Sequence, residues 1–170
     1  MSIVKNILSC AAFASVVCTM HCSGNGNSAP DFVLNDLQSN RFYLSGQKGS
    51  VVLLNFWSVH CAPCLREMPK LQELADAFAR ENVRVVGICD DPGEAGYVES
   101  LLKGIKVTYT TLIDEKQRVR GLYRVTGLPT TFIIDYKGMV RYSSVGYADG
   151  DIEKDHSIIE LLVYERDTKK

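Results

Sequence analysis

Residues 51–64 read VVLLNFWSVHCAPC, and this segment is the strongest indicator of the architecture. Its first seven residues are almost all apolar and rich in β-formers, which predicts a strand buried on both faces. From Cys61 to Arg80 the apolar residues instead recur at three- and four-residue spacing, which predicts a helix with one core-facing stripe. A second apolar run, VRVVGI at 83–88, predicts another buried strand. Residues 51–89 are therefore predicted to form a β-α-β unit with parallel strands.

The segments on either side of this unit extend the same architecture. Alternating and amphipathic patterns predict short strands before it, a β-hairpin after it and a closing helix. The predicted strands cover 32–34, 41–44, 110–113, 131–135 and 139–145, and the predicted helices cover 94–103, 116–123 and 151–166. This order predicts an α/β fold in which helices flank a central sheet.

Composition limits the function classes. The chain has 170 residues, 46% of them hydrophobic, and a net charge of −1 from 19 basic and 20 acidic residues. This size and composition suit one globular domain with an ordinary core. No basic stretch resembles a nucleic-acid footprint, so we expect no nucleic-acid partner.

The N-terminus has the pattern of an export signal. Lys5 precedes an uncharged run over 7–20, typical of the apolar region of a signal peptide. The run is shorter than the roughly 20 apolar residues of a spanning helix. We predict a leader over 1–22, a flexible tether over 23–28 and the folded domain over 29–170. Cys22 is a candidate lipidation site and membrane anchor, although the residues before it depart from the usual lipobox.

The CxxC motif at Cys61 and Cys64 has three interpretations: a metal site, a structural crosslink or a redox pair. A zinc site needs two further ligands, and Cys89, His60 and His156 are isolated in the sequence. A structural disulfide that closes so short a loop stabilises little. The pattern therefore favours a redox-active Cys61–Cys64 pair, with no metal and no other cofactor.

The position of the motif predicts unequal roles for the two cysteines. Cys61 stands where the strand ends and the helix begins, and a helix N-terminus favours a thiolate there. We expect Cys61 to be the nucleophile and Cys64, one turn further on, to resolve a mixed disulfide. Farther along, Pro129 in GLPTT is interpreted either as an ordinary proline before a strand or as a cis-proline. In the second case it packs beside the CxxC motif, and Leu128 offers its backbone to an extended substrate.

Together these motifs resemble the TlpA/ResA-type thiol-disulfide oxidoreductases of the thioredoxin superfamily. The resemblance is carried by APDFVLNDL (29–37), VVLLNFWSVHCAPC (51–64), REMP (66–69) and GLPTTFIID (127–135). It implies a thioredoxin-like fold with a mixed sheet and an N-terminal β-hairpin extension.

The same resemblance implies roles for individual residues. Glu67 is implied to move protons to and from the cysteine pair, with a solvent-facing helix glutamate as the alternative. Asn55 stands where thioredoxin itself carries a buried carboxylate. Trp57, together with Leu128 and Pro129, is implied to contact the substrate. His60 is either a modulator of the Cys61 thiolate or a simply exposed histidine, and Cys89 is expected to be an inert core residue.

The resemblance also implies partners and a location. The expected substrates are proteins that carry a disulfide or a thiol, with apocytochrome c thiols as one option, and an upstream membrane electron donor re-reduces the pair. The expected location is the bacterial periplasm or the outer face of the cytoplasmic membrane.

Two other functions remain open on this fold. A peroxiredoxin has a similar opening segment, and Ser58 fits that family's Thr or Ser three residues before its reactive cysteine. However, Leu54 stands where that family has a proline, and Cys64 has no counterpart. A copper-delivery protein would use cysteines as soft ligands, but such proteins carry a CxxxC spacing and a distant histidine.

Overall fold

The computed structural model describes residues 28–90 and 95–169. The strands are β1 (Val33–Asp36), β2 (Arg41–Tyr43), β3 (Val51–Trp57), β4 (Val83–Cys89), β5 (Thr110–Ile113), β6 (Thr130–Ile134) and β7 (Val140–Val145). The helices are α1 (Ala62–Ala77), α2 (Ala95–Gly104), α3 (Arg118–Leu122) and α4 (Asp151–Thr168). The predicted leader, Cys22 and most of the predicted tether lie outside the described residues.

The described strands form one seven-stranded sheet with the order β2-β1-β5-β4-β3-β6-β7. Strands β3, β4 and β5 run parallel, and the remaining neighbours are antiparallel. The parallel pair β3–β4 is joined through α1, as predicted for residues 51–89. The predicted α/β fold, with a mixed sheet flanked by helices, is confirmed.

The N-terminal hairpin is present but reaches further than its sequence pattern suggests. Strands β1 and β2 pair antiparallel, with Val33 opposite Tyr43. We predicted that β1 would end at residue 34, and this boundary is wrong. Asn35 still pairs with Arg41 of β2, and Asp36 continues the strand by pairing with Leu112 of β5. That partner is distant in sequence, so the local polar pattern could not indicate it.

Each face of the sheet carries its own hydrophobic cluster. Every residue of β3 is buried, which explains its continuous apolar run. On one face, Leu53 and Trp57 pack in a cluster that includes buried residues of α1, α2 and α4. On the other face, Phe56 packs with Tyr123 and Phe132 in an aromatic group. The two faces therefore separate the helix that carries the CxxC motif from the aromatic group.

Helix α1 begins one residue after Cys61 and ends earlier than predicted. Its N-cap is Cys61, and Pro69 lies inside it. We predicted that the helix would reach Arg80, but the chain leaves it after Ala77. Asn82 then adopts a left-handed φ of 52°, and the chain turns into β4. Among the helices of the described residues, none has the length and apolarity needed to cross a membrane.

Candidate active site

The two cysteines of the CxxC motif form a disulfide at the start of α1, with their Cα atoms 5.2 Å apart. The Sγ atom of Cys61 accepts a hydrogen bond from the backbone N–H of Cys64 at 3.2 Å. Cys64 is completely buried, whereas Cys61 is partly exposed. Cys61, the member of the pair at the helix N-cap, is therefore the more exposed of the two residues.

The residues next to Cys61 have positions and contacts that suit the start of a helix. Pro63 occupies the first turn, where its missing N–H leaves no helical hydrogen bond unmade. His60 is exposed, and its backbone N–H donates to Ser58 Oγ at 3.1 Å. An exposed histidine therefore directly precedes the partly exposed Cys61.

Glu67 is buried, which answers the question that the sequence left open. Only 2% of its surface is exposed, although it lies on α1 one turn after Cys64. Its Oε2 atom accepts a hydrogen bond from Asn55 Nδ2 at 2.9 Å. Burial raises the pKa of Glu67 to about 7; the Asn55 hydrogen bond opposes this rise, and the carboxylates of Asp155 and Asp151 add to it.

Asp155 is a second buried carboxylate that sequence reasoning missed. It lies on α4 and is 2% exposed, on the same helix stripe as Ile159 and Leu162. Burial raises the pKa of Asp155 to about 7, and the neighbouring charge of Asp151 adds to the rise. The sequence contained one signal for this burial: Asp155 lies at the same helical spacing as the apolar residues of the predicted last helix.

Asn55 connects the sheet directly to Glu67 and lies in a row of residues that crosses four strands. Sheet register aligns Thr131, Asn55, Gly87 and Thr111 side by side on four adjacent strands. The Asn55 amide donates both to Glu67 and to Thr131 Oγ1, the latter at 3.1 Å. Because the carboxylate of Glu67 can only accept, this pattern orients the amide nitrogen toward it.

The loop before β6 contains a cis peptide bond between Leu128 and Pro129, which is the second of the two interpretations of this proline. Pairing of Phe56 with Thr130 sets this loop beside the end of β3, from which the chain runs on to Cys61. Leu128 is partly buried and packs against both hydrophobic clusters. The carbonyls on either side of it are engaged, since Gly127 accepts from Thr130 Oγ1 and Pro129 accepts from the backbone of Gly146.

Trp57 does not lie where a substrate could reach it. We predicted that it contacts the substrate, but the indole is completely buried in the cluster beneath α1. As the last residue of β3 it points into the core rather than toward the CxxC surface. Cys89, its neighbour across the sheet, is also completely buried, which agrees with the expected core position.

Within residues 28–90 and 95–169, no group of three or more His, Cys, Asp or Glu side chains could hold a metal ion. The feature that resembles a cofactor in this site is the Cys61–Cys64 disulfide.

Comparison with solved structures agrees with this fold and site. A crystal structure from Chlorobium tepidum, described as a candidate thiol:disulfide interchange protein DsbE, superimposes with a TM-score of 0.76. It is 31% identical, and the match covers 81% of this chain and 96% of that one. StoA from Bacillus subtilis, at 24% identity and a TM-score of 0.64, shares the fold. The fold and the site together define a thiol-disulfide oxidoreductase.

Sequence comparison gives the particular family. Residues 25–143 match the AhpC/TSA family. Thiol-disulfide oxidoreductase ResA of Geobacillus kaustophilus (strain HTA426) is 38% identical over 131 residues, which cover 76% of this chain and 74% of that protein. ResA of Bacillus subtilis (strain 168) is 36% identical over 116 residues, 68% of this chain and 64% of that protein. The chain belongs to the AhpC/TSA family and to the ResA thiol-disulfide oxidoreductases.

Proposed function

We propose that this protein is exported and reduces disulfides of partner proteins, with Cys61 as nucleophile, Cys64 as resolving thiol and Glu67 as proton carrier. The observation that carries the proposal is the placement of Glu67. It is buried one turn after Cys64, and Asn55 holds its carboxylate. A buried carboxyl whose pKa is close to the working pH can both take up and release a proton there.

Three features support Cys61 as the nucleophile. Its sulfur is at the N-cap of α1, where the unpaired N–H groups and the helix dipole stabilise negative charge. The backbone N–H of Cys64 already donates to this sulfur, and the same donor would stabilise a thiolate. Cys64 is buried, so a partner disulfide can approach Cys61 but not Cys64.

The proposed reaction has two exchange steps. The Cys61 thiolate attacks one sulfur of the partner disulfide, forms a mixed disulfide and expels the other partner sulfur as a thiolate, which takes up a proton. Glu67 then accepts the Cys64 proton, and the Cys64 thiolate attacks Cys61 Sγ and breaks the mixed disulfide. The partner gains two electrons and two protons, and this protein is left with the Cys61–Cys64 disulfide. An upstream dithiol donor returns it to the reduced state.

The cis-proline loop is the proposed contact for the partner polypeptide. The carbonyls of Gly127 and Pro129 are engaged within the domain. We assign the backbone of Leu128, between them, to hydrogen bonding with an extended segment of the partner. Pro129 is buried within this loop. His60 is exposed and directly precedes Cys61 in the chain, and we assign it the role of a modulator of the Cys61 thiolate.

Export and anchoring are proposed from the N-terminal sequence. The apolar run over 7–20 and the polar stretch after it have the order of a signal peptide and a tether. Cys22 is the proposed lipidation site, which would attach the domain to the outer face of the membrane.

Trapping of the mixed disulfide tests the proposed roles. The Cys64→Ser variant should accumulate partner proteins on Cys61, and mass spectrometry of the complexes identifies them. The matched Cys61→Ser variant should trap far fewer. Equal trapping by the two variants would overturn the assignment of the nucleophile.

The direction of electron flow requires a separate measurement. A reductant needs a potential well below that of strong oxidants such as DsbA, which lies at about −120 mV. Equilibration of the protein with glutathione buffers gives this potential. A value near that of DsbA would show that the protein oxidises its partners instead.

A further inference from the structure

Helix α3 is held against the ends of β4 and β5 by polar contacts. The buried carboxylate of Asp114 accepts hydrogen bonds from the backbone N–H groups of Arg118 and Arg120, at 3.0 Å and 2.9 Å. The side-chain amide of Gln117 donates to the backbone carbonyl of Asp90 at 3.3 Å. The guanidinium group of Arg120 forms an ion pair with the carboxylate of Asp90. Groups that directly follow two strands of the sheet therefore bind α3.

Apolar packing alone gives this helix little support. Helix α3 has five residues, and Val119 is the buried one among them. A helix this short does not form on its own in water, so its placement depends on its contacts with the rest of the domain. In the Asp90–Arg120 ion pair, the side chain of Asp90 is 3% exposed and that of Arg120 is 27% exposed. A displacement of α3 would leave the buried Asp90 charge away from the guanidinium, which is strongly unfavourable.

The Asp90 end of this ion pair is tied to the segment that carries the CxxC motif. The backbone N–H of Asp90 donates to the carbonyl of Trp57 at 3.2 Å, where β3 ends. The chain then turns toward α1, and the backbone N–H of Cys61 donates to the carbonyl of Ser58 at 3.0 Å. A short hydrogen-bonded path therefore joins Asp90 to the turn before Cys61.

The Arg120 end is tied to the loop that contains Leu128. The backbone carbonyl of Arg120 accepts a hydrogen bond from the N–H of Val125 at 3.1 Å. Val125 is buried in the hydrophobic cluster against which Leu128 also packs. The ion pair therefore connects the two parts of the candidate active site.

We propose that the Asp90–Arg120 ion pair fixes the loop at Leu128 relative to Cys61, and that Asp90 and Arg120 are positioning residues for the partner polypeptide. This inference rests on the proposed function, in which the backbone of Leu128 binds an extended segment of the partner. The disulfide of a partner held at Leu128 reaches the Cys61 sulfur only if the loop and the CxxC motif keep a fixed separation. Loss of the ion pair should therefore weaken partner binding. The Cys61 thiolate should be unaffected, because the groups that stabilise it are the start of α1 and the N–H of Cys64.

Single-turnover reduction of two disulfides by the reduced full chain separates binding from chemistry. The first probe is a synthetic peptide with a disulfide inside an extended segment, and the second is dithiobis-nitrobenzoate, a small disulfide without a peptide backbone. In Arg120→Met we expect the half-saturating peptide concentration to rise roughly three- to tenfold, which is the effect of one weakened hydrogen bond. The limiting rate with the peptide and the rate with dithiobis-nitrobenzoate should stay within about twofold of the wild type. An unchanged half-saturating concentration would overturn the positioning role, and so would an equal loss of rate with both probes.

Arg141→Met is the matched control. Arg141 pairs with Asp135 in the β6–β7 hairpin at almost the same exposure, 28% and 5% for the two side chains. It lies at the start of β7, whereas Val145 at the other end of that strand pairs with Thr130 beside the loop. Loss of the Arg141 ion pair should therefore leave the half-saturating peptide concentration unchanged. An equal increase in both variants would show a general loss of stability and would contradict the proposal.

A double-mutant cycle tests the ion pair itself. Asp90→Ala and Arg120→Met should each raise the half-saturating peptide concentration, and the double variant should raise it by no more than the larger single effect. The double variant also removes the buried charge that Arg120→Met leaves behind, so it serves if the single variant does not fold. If the two effects instead multiply in the double variant, the two residues act independently and the role of the ion pair is wrong.

Hydrogen exchange reports on the loop in the absence of a partner. The backbone N–H of Gly146 donates to the carbonyl of Pro129 at 2.7 Å. In Arg120→Met this amide should exchange faster with solvent, while the amides of β3 keep their wild-type protection. Wild-type protection of Gly146 in this variant would count against the positioning role.

The two proposals fail in different ways. If the wild type reduces the peptide without saturation, the proposed contact of Leu128 with the partner fails, and the exchange of Gly146 still tests the ion pair. If the peptide reaction saturates but Arg120→Met behaves as the wild type, only the role of the ion pair fails.

Discussion

The amide nitrogen of Asn55 lies 2.9 Å from Oε2 of Glu67, and this contact joins strand β3 of the sheet to the helix that carries the cysteines. Within the described part of the chain, this hydrogen bond favours the ionised carboxylate, whereas burial and the two neighbouring carboxylates of Asp155 and Asp151 favour the protonated form. The resulting pKa near 7 is a balance, and each contribution can be changed separately.

Asn55→Ala removes the hydrogen bond that favours the ionised form of Glu67. The carboxylate loses its hydrogen-bond donor while it stays buried, so the pKa of Glu67 should rise above about 7, by roughly half a unit to one unit. The pH profile of thiol–disulfide exchange should move upward by the same amount. Carboxyl ¹³C titration measures the first effect, and the rate of reduction of a model disulfide measures the second.

Asn40→Ala is the matched control for that variant. Asn40 also donates to a carboxylate, Asp36 Oδ2 at 3.0 Å, but in an exposed turn of the N-terminal hairpin. Loss of the Asn40 side chain should leave the pKa of Glu67 unchanged. A Glu67 pKa that does not move in Asn55→Ala would contradict the role given to this hydrogen bond.

Asp155→Asn should have the opposite effect. The carboxylate of Asp155 disfavours a second negative charge on Glu67, so its removal should lower the pKa of Glu67 by about half a unit. The exchange profile should then extend to lower pH. Glu160→Gln changes an exposed residue on the same helix, so it should leave the pKa of Glu67 unchanged. A rise in the pKa of Glu67 would show that Asp155 acts other than through its charge.

Glu67→Gln should change how stability depends on pH. The pKa of Glu67 rises from 4.5 to about 7 on folding, so the folded state binds the proton more tightly than the unfolded state. The associated stability is complete below pH 4.5 and is lost as the pH rises through 7. Urea unfolding should show that the wild type loses roughly 2–3 kcal/mol across this window relative to Glu67→Gln.

The control for the stability measurement lies on the same helix. Glu73→Gln changes an exposed carboxylate that pairs with Lys70, so it should keep the wild-type pH dependence. If the free energies of unfolding of the wild type and of Glu67→Gln depend on pH in the same way, then burial does not raise the pKa of Glu67 in the folded state.

Hydrogen peroxide should be a poor substrate. The match to the AhpC/TSA family and the position of Ser58 make a peroxidase the alternative function to test. However, Leu54 stands where peroxiredoxins have a proline, and it is completely buried in β3. We expect slow peroxide consumption that is far below the rate of disulfide exchange. Cys61→Ser provides the background rate. Fast turnover that depends on Cys61 would assign the protein to the peroxidases.

Much of the fold was predictable because its signals are local. The continuous apolar run of β3, the helical spacing after Cys61 and the hairpin pattern around residue 137 each reflect one element and its buried face. Element ends were less predictable, since the last residue of β1, Asp36, pairs with Leu112 of the distant strand β5.

The candidate active site likewise has features that local sequence predicts and features that depend on distant segments. Local sequence was sufficient for the CxxC pair, the helix start at Cys61 and the proline loop, because spacing along the chain sets these features. Three features depend on packing between distant segments: the burial of Glu67 against Asn55, the carboxylate of Asp155 on the last helix, and the indole of Trp57 turned into the core. Solvent exclusion and sheet register arise only when those segments meet, and they set the pKa of the group that we propose moves the proton.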